Sequence, residues 1–333
     1  MSETTVTEQR ELLEQALFEI KRVIAGQDGM LERVLVCLLA GGHLLIEGVP
    51  GLAKTLTIKT TAQVLGGSFQ RIQFTPDLVP SDLVGTRIYR PGTGEFDTEL
   101  GPVFCNFLLA DEINRAPAKV QSALLEVMQE RQVTIGHETH PVPQPFLVMA
   151  TQNPIESEGT YPLPEAQVDR FMLKILVGYP EHDEELTVVQ RSLVAPPDLR
   201  RVLELELLRE LQDAAAAVYV DPGIISYTVQ LATATRDPGA YGLADLAPFV
   251  SFGASPRGPI SLVQSARALA FLRGRDYVVV QDVDSLAKDA LRHRLVLSYQ
   301  ALAEQVDADR ILDAVLEQVT APELDVGRRE TAA

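Results

Sequence analysis

Residues 43–65 read HLLIEGVPGLAKTLTIKTTAQVL, and this stretch decides the fold. Its apolar start at Leu44–Ile46 predicts a buried strand, Gly48–Lys54 a turn, and Thr55–Leu65 a helix. A strand, a glycine-containing loop, Lys-Thr and a helix in this order are typical of a phosphate-binding loop. The alternative is an ordinary Gly-Pro turn before a helix, which would not require a Lys-Thr pair at the helix start.

The residue types in this loop suit a bound polyphosphate. Gly48 and Gly51 let consecutive main-chain N–H groups point inward as an anion nest, and Pro50 stiffens the turn. The start of the following helix adds a partial positive charge. Lys54 can reach the β and γ oxygens, and the Thr55 hydroxyl can ligate Mg²⁺.

The loop departs from the general pattern G-x-x-x-x-G-K-[ST] at one position, because Ala53 stands where the second glycine is expected. We nevertheless predict that the whole loop contacts a nucleotide. The predicted contact residues are Gly48, Val49, Pro50, Gly51, Leu52, Ala53, Lys54, Thr55 and Leu56.

Length and charge limit the classes of function. The chain has 333 residues, which is enough for two domains. Its net charge of −17 would repel a nucleic-acid backbone unless basic residues gathered in a pore or groove. The sequence has no evident cluster of Lys and Arg, so nucleic acid is disfavoured as the main partner.

The sequence gives no sign of export, membrane insertion or metal-binding cysteines. The N-terminus lacks a basic region followed by an apolar one, and the apolar stretch Val34–Ile46 is too short to span a bilayer. Cys37 and Cys105 are isolated and are predicted to be core residues, and a metal site at His137 and His140 is disfavoured. We therefore expect a soluble, cytoplasmic protein.

A pair of acidic residues follows the apolar strand predicted at Asn106–Ala110. Strands of a parallel sheet deliver the residues at their C-terminal ends to the crevice where ligands bind. Asp111 is then placed to hold Mg²⁺ and to join the nucleotide contacts, and Glu112 to orient and deprotonate water. The structural alternative is an acidic helix cap, which a preceding phosphate-binding loop makes less favoured.

Three further polar residues are candidates for contacts with phosphate or water. Asn153 follows the strand predicted at Phe146–Ala150, where it could fix the attacking water, although an Asn before Pro is often a turn residue. Arg170 carries a planar charge suited to a γ-phosphate, or could pair with Asp169. Arg257 lies just before a predicted helix, where an anion would compensate its unfavourable position.

The remaining pattern predicts a phosphate-binding α/β domain over residues 1–180 and an all-α domain over 181–333. The first contains a five-stranded parallel sheet, and two hairpins around 87–96 and 131–142 project from it. The predicted strands are 44–46, 69–74, 106–110, 146–150 and 173–177. The predicted helices of the second domain are 184–193, 202–218, 224–235, 260–272, 283–297 and a last one at 307–319.

Six stretches between about Ile24 and His293 carry a family resemblance. They are GVPGLAKT, FTPDLVPSDLVGT, LLADEINRAP, QSALLEVMQERQVTI, ATQNPIESEGTYPLPEAQVDRF and GASPRG. Together they resemble the MoxR group of AAA+ ATPases, in which an alanine at the position of Ala53 is usual.

The resemblance implies a role for each candidate residue. The 48–55 loop would be Walker A, Asp111 and Glu112 Walker B, Asn153 sensor 1, Arg170 the arginine finger and Arg257 sensor 2. Arg115 is a second candidate for an interface contact. The hairpins would be the helix-2 insert and the pre-sensor-1 hairpin. Members of the group assemble as rings, commonly hexamers, with ATP and Mg²⁺ at subunit interfaces, where the finger acts on the neighbour's nucleotide.

Three functions remain open at this point. The resemblance favours a chaperone-like motor acting on protein clients, frequently proteins with a von Willebrand factor A domain, and including assembly or the insertion of a metal or cofactor. The alternative is a nucleic-acid motor related to helicases, but the hairpin tips at 92–95 and 136–138 contain no Lys or Arg. A nucleotide-dependent scaffold is a third possibility, which the acidic pair and the arginine candidates disfavour.

Overall fold

The computed structural model describes residues 3–49, 51–92, 94–153, 159–195 and 197–323. The chain divides into two compact units, Met1–Asp213 and Ala214–Ala333. The segment after residue 180 belongs to the first unit through hydrogen bonds such as Val202 N to Val64 O, at 2.9 Å. The division therefore falls later than the domain boundary predicted at residue 180, which stays a prediction.

The first unit has the order of helices and strands expected of a phosphate-binding α/β fold. Its helices are α1 (Glu3–Val23), α2 (Asp28–Leu39), α3 (Lys54–Val64), α4 (Pro80–Val84), α5 (Ala118–Glu130), α6 (Glu165–Val168), α7 (His182–Ser192) and α8 (Leu205–Ala216), the last running past the division. Its strands are β1 (Leu44–Gly48), β2 (Phe69–Gln73), β3 (Gly85–Arg90), β4 (Glu95–Leu100), β5 (Phe107–Asp111), β6 (Gln132–Ile135), β7 (Glu138–Pro141), β8 (Leu147–Gln152) and β9 (Leu173–Val177).

Five parallel strands form the central sheet in the order β2-β5-β8-β1-β9, which confirms the predicted fold class. The first four residues of β5 and the first five of β8 are all buried, as expected for strands covered on both faces. Because the strands are parallel, their C-terminal ends meet at one edge. Gly48 of β1, Asp111 of β5 and Gln152 of β8 therefore lie along the same edge.

Helix α5 packs one apolar face on the core of this unit. Val120, Leu124, Val127 and Met128 are buried and recur at the three- and four-residue spacing of a helix face, as predicted. Its N-terminus follows the short 3-10 turn Ile113–Arg115, which begins directly after the acidic pair. The helix thus connects the edge of the sheet that carries Asp111 to the hairpin β6–β7.

The two predicted hairpins form separate two-stranded sheets outside the central one. In β3–β4, Tyr89 lies opposite Phe96, with ring centroids 5.2 Å apart, and both side chains are more than half exposed. In β6–β7, Ile135 lies opposite Glu138. Both hairpins add antiparallel pairs without extending the parallel sheet.

The second unit is mostly helical, as predicted, but also contains a small antiparallel pair. Its elements are α9 (Pro222–Arg236), β10 (Val250–Phe252), α10 (Arg257–Leu272), α11 (Val280–Leu291), β11 (Val296–Leu297), α12 (Tyr299–Ala303) and α13 (Ala308–Gln318). Among the described helices, none is both long enough and apolar enough to cross a membrane.

The helix predicted at 283–297 is too long, because α11 ends at Leu291. Arg294 is buried, and its guanidinium donates to the Ala290 carbonyl and to Ser261 Oγ. The chain then turns, and Val296–Leu297 pairs with Val250–Phe252. An apolar pattern does not reveal such a stop, because it does not show that the buried guanidinium of Arg294 finds an acceptor, Ser261 Oγ, on another helix.

A buried histidine joins three elements of the first unit. His43 precedes β1 and is 5% exposed. Its Nε2 lies 3.2 Å from Met128 O, and its Nδ1 accepts from Val148 N at 3.0 Å. These partners require a neutral ring with the hydrogen on Nε2. The pKa of His43 is lowered to about 4, mainly by burial; the bond to Met128 O opposes this shift, and the positive charge of Arg131 adds to it.

Because the pKa of buried His43 is lowered, we expect the protein to lose folding stability in mild acid. The unfolded chain takes up the proton below about pH 6.5, whereas folded His43 resists it down to about pH 4. The unfolding free energy should therefore fall by about 3 kcal/mol as pH drops through this window, and this contribution should level off below it. Urea denaturation at pH 7, 6, 5 and 4 measures the effect.

The same titration of His43→Gln should be flatter between pH 6.5 and 4, because the titrating ring is gone. His182→Gln is the matched control, since it also removes one histidine, at an exposed position on α7. Parallel curves for the parent protein and His43→Gln would show that other groups cause the acid sensitivity.

Candidate functional site

A cavity of about 400 Å³ lies at the C-terminal edge of the central sheet. Most of the residues predicted to contact nucleotide line it. These are Gly48, Gly51, Leu52, Ala53, Lys54, Thr55, Leu56, Asp111, Glu112 and Asn153. The fold thus brings together, from β1, β5, β8 and the start of α3, residues that are more than 100 positions apart in the sequence.

The other predicted site residues either do not line the cavity or lie outside the described residues. Val49 does not line the cavity, and Pro50 lies outside the described residues. Arg170 follows α6, is exposed, and does not line the cavity either. Arg257 is the first residue of α10, in the second unit.

Two of the described residues in the loop that forms one wall of the cavity have left-handed backbone. Gly51 has φ of +88°, which suits glycine. Ala53, which stands in place of the general pattern's glycine, has φ of +56°. This conformation is less favourable in free energy for alanine than for glycine. At Gly48 the reason for glycine is space, because a Cβ would lie 2.5 Å from Val177 O.

Lys54 places its ammonium group inside the loop. Helix α3 begins at this residue, so the positive end of the helix lies at the cavity. The Lys54 Nζ donates to Gly48 O across the loop. Burial lowers the pKa of Lys54, while the carboxylates of Asp111, Glu112 and Glu47 act in the opposite direction. Three carboxylates therefore act on the Lys54 ammonium group, and two of them, Asp111 and Glu112, line the same cavity.

Both carboxylate oxygens of Asp111 accept hydrogen bonds. Oδ2 accepts from Arg71, at 2.6 Å from Nη2 and 3.2 Å from Nε. Oδ1 accepts from the Thr151 hydroxyl at 2.6 Å. Charge-assisted bonds of this kind fix the direction of a carboxylate.

Glu112 has a left-handed backbone, with φ of 56°, and its side chain is held from two sides. Its Oε2 accepts from Gln73 Nε2 at 2.8 Å and from Arg115 Nη1 at 3.1 Å. Its main-chain N donates to Thr151 Oγ1 at 2.9 Å, so the Thr151 hydroxyl joins both acidic residues. An unusual backbone held by several partners is a common feature of functional residues.

Four residues line the cavity but were not among the predicted site residues, namely Arg71, Gln73, Thr151 and Gln152. The signal was the polar alternation in β2, which puts Arg71 and Gln73 on one face of that strand. Its meaning depends on β2 pairing with β5, which sets Gln73 opposite Asp111. Strand order, which local sequence patterns do not determine, therefore concealed Arg71 and Gln73.

Three further polar candidates belong to the first unit, namely Asn153, Arg170 and Arg115. Asn153 follows β8, is 8% exposed and lines the cavity. Arg170 is exposed and donates from Nη1 to Leu125 O at 3.1 Å. Arg115, the second arginine candidate, pairs with Glu112 of its own chain.

Comparisons with known proteins agree with this geometry. The profile of the ATPase family associated with various cellular activities (AAA) matches residues 43–173, and that of the AAA lid domain matches residues 244–315. The chain is 58% identical to Chaperone MoxR1 of Mycobacterium tuberculosis over 313 residues, which is 94% of this chain and 83% of that protein.

A more distant relative and a solved structure extend the likeness over nearly the whole chain. Protein MoxR of Methylorubrum extorquens is 32% identical over 91% of this chain and 93% of its own length. The crystal structure of a candidate ATPase from Cytophaga hutchinsonii superimposes with a TM-score of 0.91 at 46% identity, covering 96% of this chain and 98% of that chain.

Proposed function

Since the chain belongs to the MoxR family of AAA+ ATPases, we propose that it hydrolyses ATP at the subunit interfaces of a ring, commonly a hexamer. The energy released would drive chaperone-like remodelling, assembly or metal or cofactor insertion of protein clients in the cytoplasm. The observation that carries the proposal is the separation of two sets of groups. Lys54, Asp111 and Glu112 line the cavity, whereas Arg170 is exposed outside it.

The loop and its neighbours would bind the nucleotide. Main-chain N–H groups between Gly48 and Thr55 would surround the phosphates, and Lys54 would neutralise the β and γ oxygens. Leu52, Ala53 and Leu56 line the same cavity and would complete its wall. Lys54 would then exchange its bond to Gly48 O for the phosphate oxygens.

The donor set fits Mg²⁺, which prefers oxygen ligands and is usually held by one or two protein groups together with phosphates. Thr55 and Asp111 supply a hydroxyl and a carboxylate to the same cavity. Among the described residues there is no group of three or more His, Cys, Asp or Glu side chains that could hold a metal ion alone. When bound, Mg²⁺ would neutralise charge on the phosphates.

Glu112 would orient the attacking water and take its proton. Gln73 and Arg115 hold the carboxylate, and Asn153 lines the cavity beside it, where its amide would fix the water or contact the γ-phosphate. Arg170 of a neighbouring subunit would stabilise charge on the transferring phosphoryl group. Arg257 would contact the nucleotide as sensor 2.

The ring proposal predicts that ATP hydrolysis per subunit depends on protein concentration. A monomer contains Glu112 but lacks an arginine from a neighbour, so its turnover should be low and should rise as subunits associate. ATPase assays across a dilution series, read beside mass photometry of the same samples, test this. A constant rate per subunit down to concentrations at which only monomers are present would contradict the ring.

Protein clients are the partners favoured by the charge of the chain. The hairpin β3–β4 exposes Tyr89 and Phe96, and the hairpin tips contain no Lys or Arg. The relative from Mycobacterium tuberculosis is named a chaperone. Proteins with a von Willebrand factor A domain are the client class that we propose first. A nucleic-acid motor is the alternative, and it would require basic residues collected from several subunits around a pore.

A further inference from the structure

Helix α5 contacts two parts of the chain to which the proposed function gives different tasks. The first is the 3-10 turn Ile113–Arg115, which directly follows the proposed base Glu112. The second is the segment from Tyr161 through α6 to Arg170, here called the finger arm. Glu112 would act in its own subunit and Arg170 on the neighbour, so a shared support would link two active sites.

Gln121 is the residue through which α5 holds both parts. Its side chain is fully buried, and Nε2 lies 3.2 Å from Ile113 O, 3.0 Å from Ala116 O and 3.1 Å from Tyr161 O. Its Oε1 is buried and has no hydrogen-bond partner in the part of the chain that the structure describes. The opposite amide orientation would set that oxygen against three carbonyl oxygens, so the donor orientation is determined.

The same turn of α5 holds the rest of the finger arm. Gln167 Nε2 donates to Ser122 Oγ at 3.0 Å, and Arg170 Nη1 donates to Leu125 O at 3.1 Å. In addition, Tyr161 N donates to Asn114 O at 2.6 Å, which ties the arm directly to the turn after Glu112. Residues 121 and 125 are neighbours on one helix face, so these contacts form one continuous group.

We propose that Gln121 is a positioning residue that holds the Glu112 turn and the finger arm as one unit. A displacement of Glu112 when nucleotide binds in one subunit would then move Arg170 at the next site. This inference rests on the proposed ring with Arg170 acting in trans. It adds a specific route by which neighbouring sites are coupled, through a residue that does not line the cavity.

The test separates the two tasks of Gln121 by mixing two disabled chains. Lys54→Ala supplies an intact Arg170 but no working nucleotide site, whereas Arg170→Ala supplies a site but no arginine. Their mixture should recover ATPase activity at interfaces that combine the two. Gln121→Leu is then added to one chain at a time, with Glu126→Gln, an exposed residue of α5, as the matched control.

Both placements of Gln121→Leu are expected to lower the recovered activity by between about tenfold and about a hundredfold, because small misplacements of catalytic groups have effects of this size. In the Lys54→Ala chain the loss reports on Arg170, and in the Arg170→Ala chain it reports on Glu112. The ATP affinity of the single Gln121→Leu variant should stay unchanged. If Gln121 only stabilised the binding site, its replacement would weaken ATP binding as well.

Three results would overturn the inference. A loss only in the Arg170→Ala chain would limit Gln121 to the turn of its own site, and no loss in either chain would reduce it to a packing residue. No recovery in the parent mixture would contradict the trans arrangement itself, and the inference with it. If Gln121→Leu does not fold, Gln121→Asn replaces it, since it keeps the amide on a shorter side chain. It must then lower the recovered activity in both placements, by less than the loss expected for Gln121→Leu.

Discussion

Arg170→Ala is expected to reduce ATP hydrolysis by about 10³- to 10⁵-fold while leaving nucleotide affinity unchanged. This is the size of the effect of an arginine that stabilises the transition state of phosphoryl transfer from a neighbouring subunit. The expectation follows from position, because Arg170 is exposed, lies outside the cavity of its own chain and is steadied by Leu125 O. Steady-state ATPase rates and equilibrium binding of a fluorescent ATP analogue measure the two quantities.

Arg209→Ala is the matched control for this prediction. Arg209 is also an exposed arginine of the first unit, and it likewise donates to a main-chain carbonyl, that of Gln144, at 2.9 Å. It lies outside the cavity, so its loss should leave hydrolysis intact. Lys54→Ala should instead weaken nucleotide binding itself. Substantial turnover by Arg170→Ala would transfer the proposed role to another residue, with Arg115 as the next candidate.

Glu112→Gln is expected to lower turnover by about 10²- to 10⁴-fold and to retain bound ATP. The amide has nearly the shape of the carboxylate and can still accept from Gln73 and Arg115, but it cannot take a proton from water. Single-turnover hydrolysis and the nucleotide retained after rapid gel filtration measure the two effects. If the variant hydrolyses ATP at the parent rate, Glu112 is not the base.

The trapped state also offers a way to find the client. A Glu112→Gln ring that keeps ATP should hold its protein partner longer than the parent ring does, because hydrolysis is the step expected to release it. Parallel capture with Glu126→Gln rings gives the background, since Glu126 is exposed on α5 away from the cavity. Retention of nucleic acid in place of protein would favour the alternative motor.

The sequence did not reveal the hydrogen-bond donors that the carboxylates of Asp111 and Glu112 need when they lose contact with water. Asp111 and Glu112 are like charges beside Lys54, and each has additional donors from β2, namely Arg71 and Gln73. Removing water from carboxylates is unfavourable unless donors replace it. The need for donors could be foreseen, but their identity depends on which strand lies next to β5.

Local patterns were sufficient for much of this protein. The loop between β1 and α3, the apolar strands, the two hairpins and the acidic pair after β5 are each encoded within a short window, because backbone freedom, side-chain alternation and helix periodicity act over a few residues. The same short stretches of sequence include four of the predicted site residues that line the cavity, namely Lys54, Asp111, Glu112 and Asn153.

Contacts between distant segments were decided only by the tertiary structure. The strand order placed Gln73 beside Asp111, and the packing of α5 brought Gln121 to Ile113 and Tyr161. A buried arginine ended α11 earlier than its apolar pattern indicated. These outcomes depend on how buried polar groups find partners across the fold. No short stretch of sequence contains both members of pairs such as Gln121 and Tyr161, or Arg294 and Ser261.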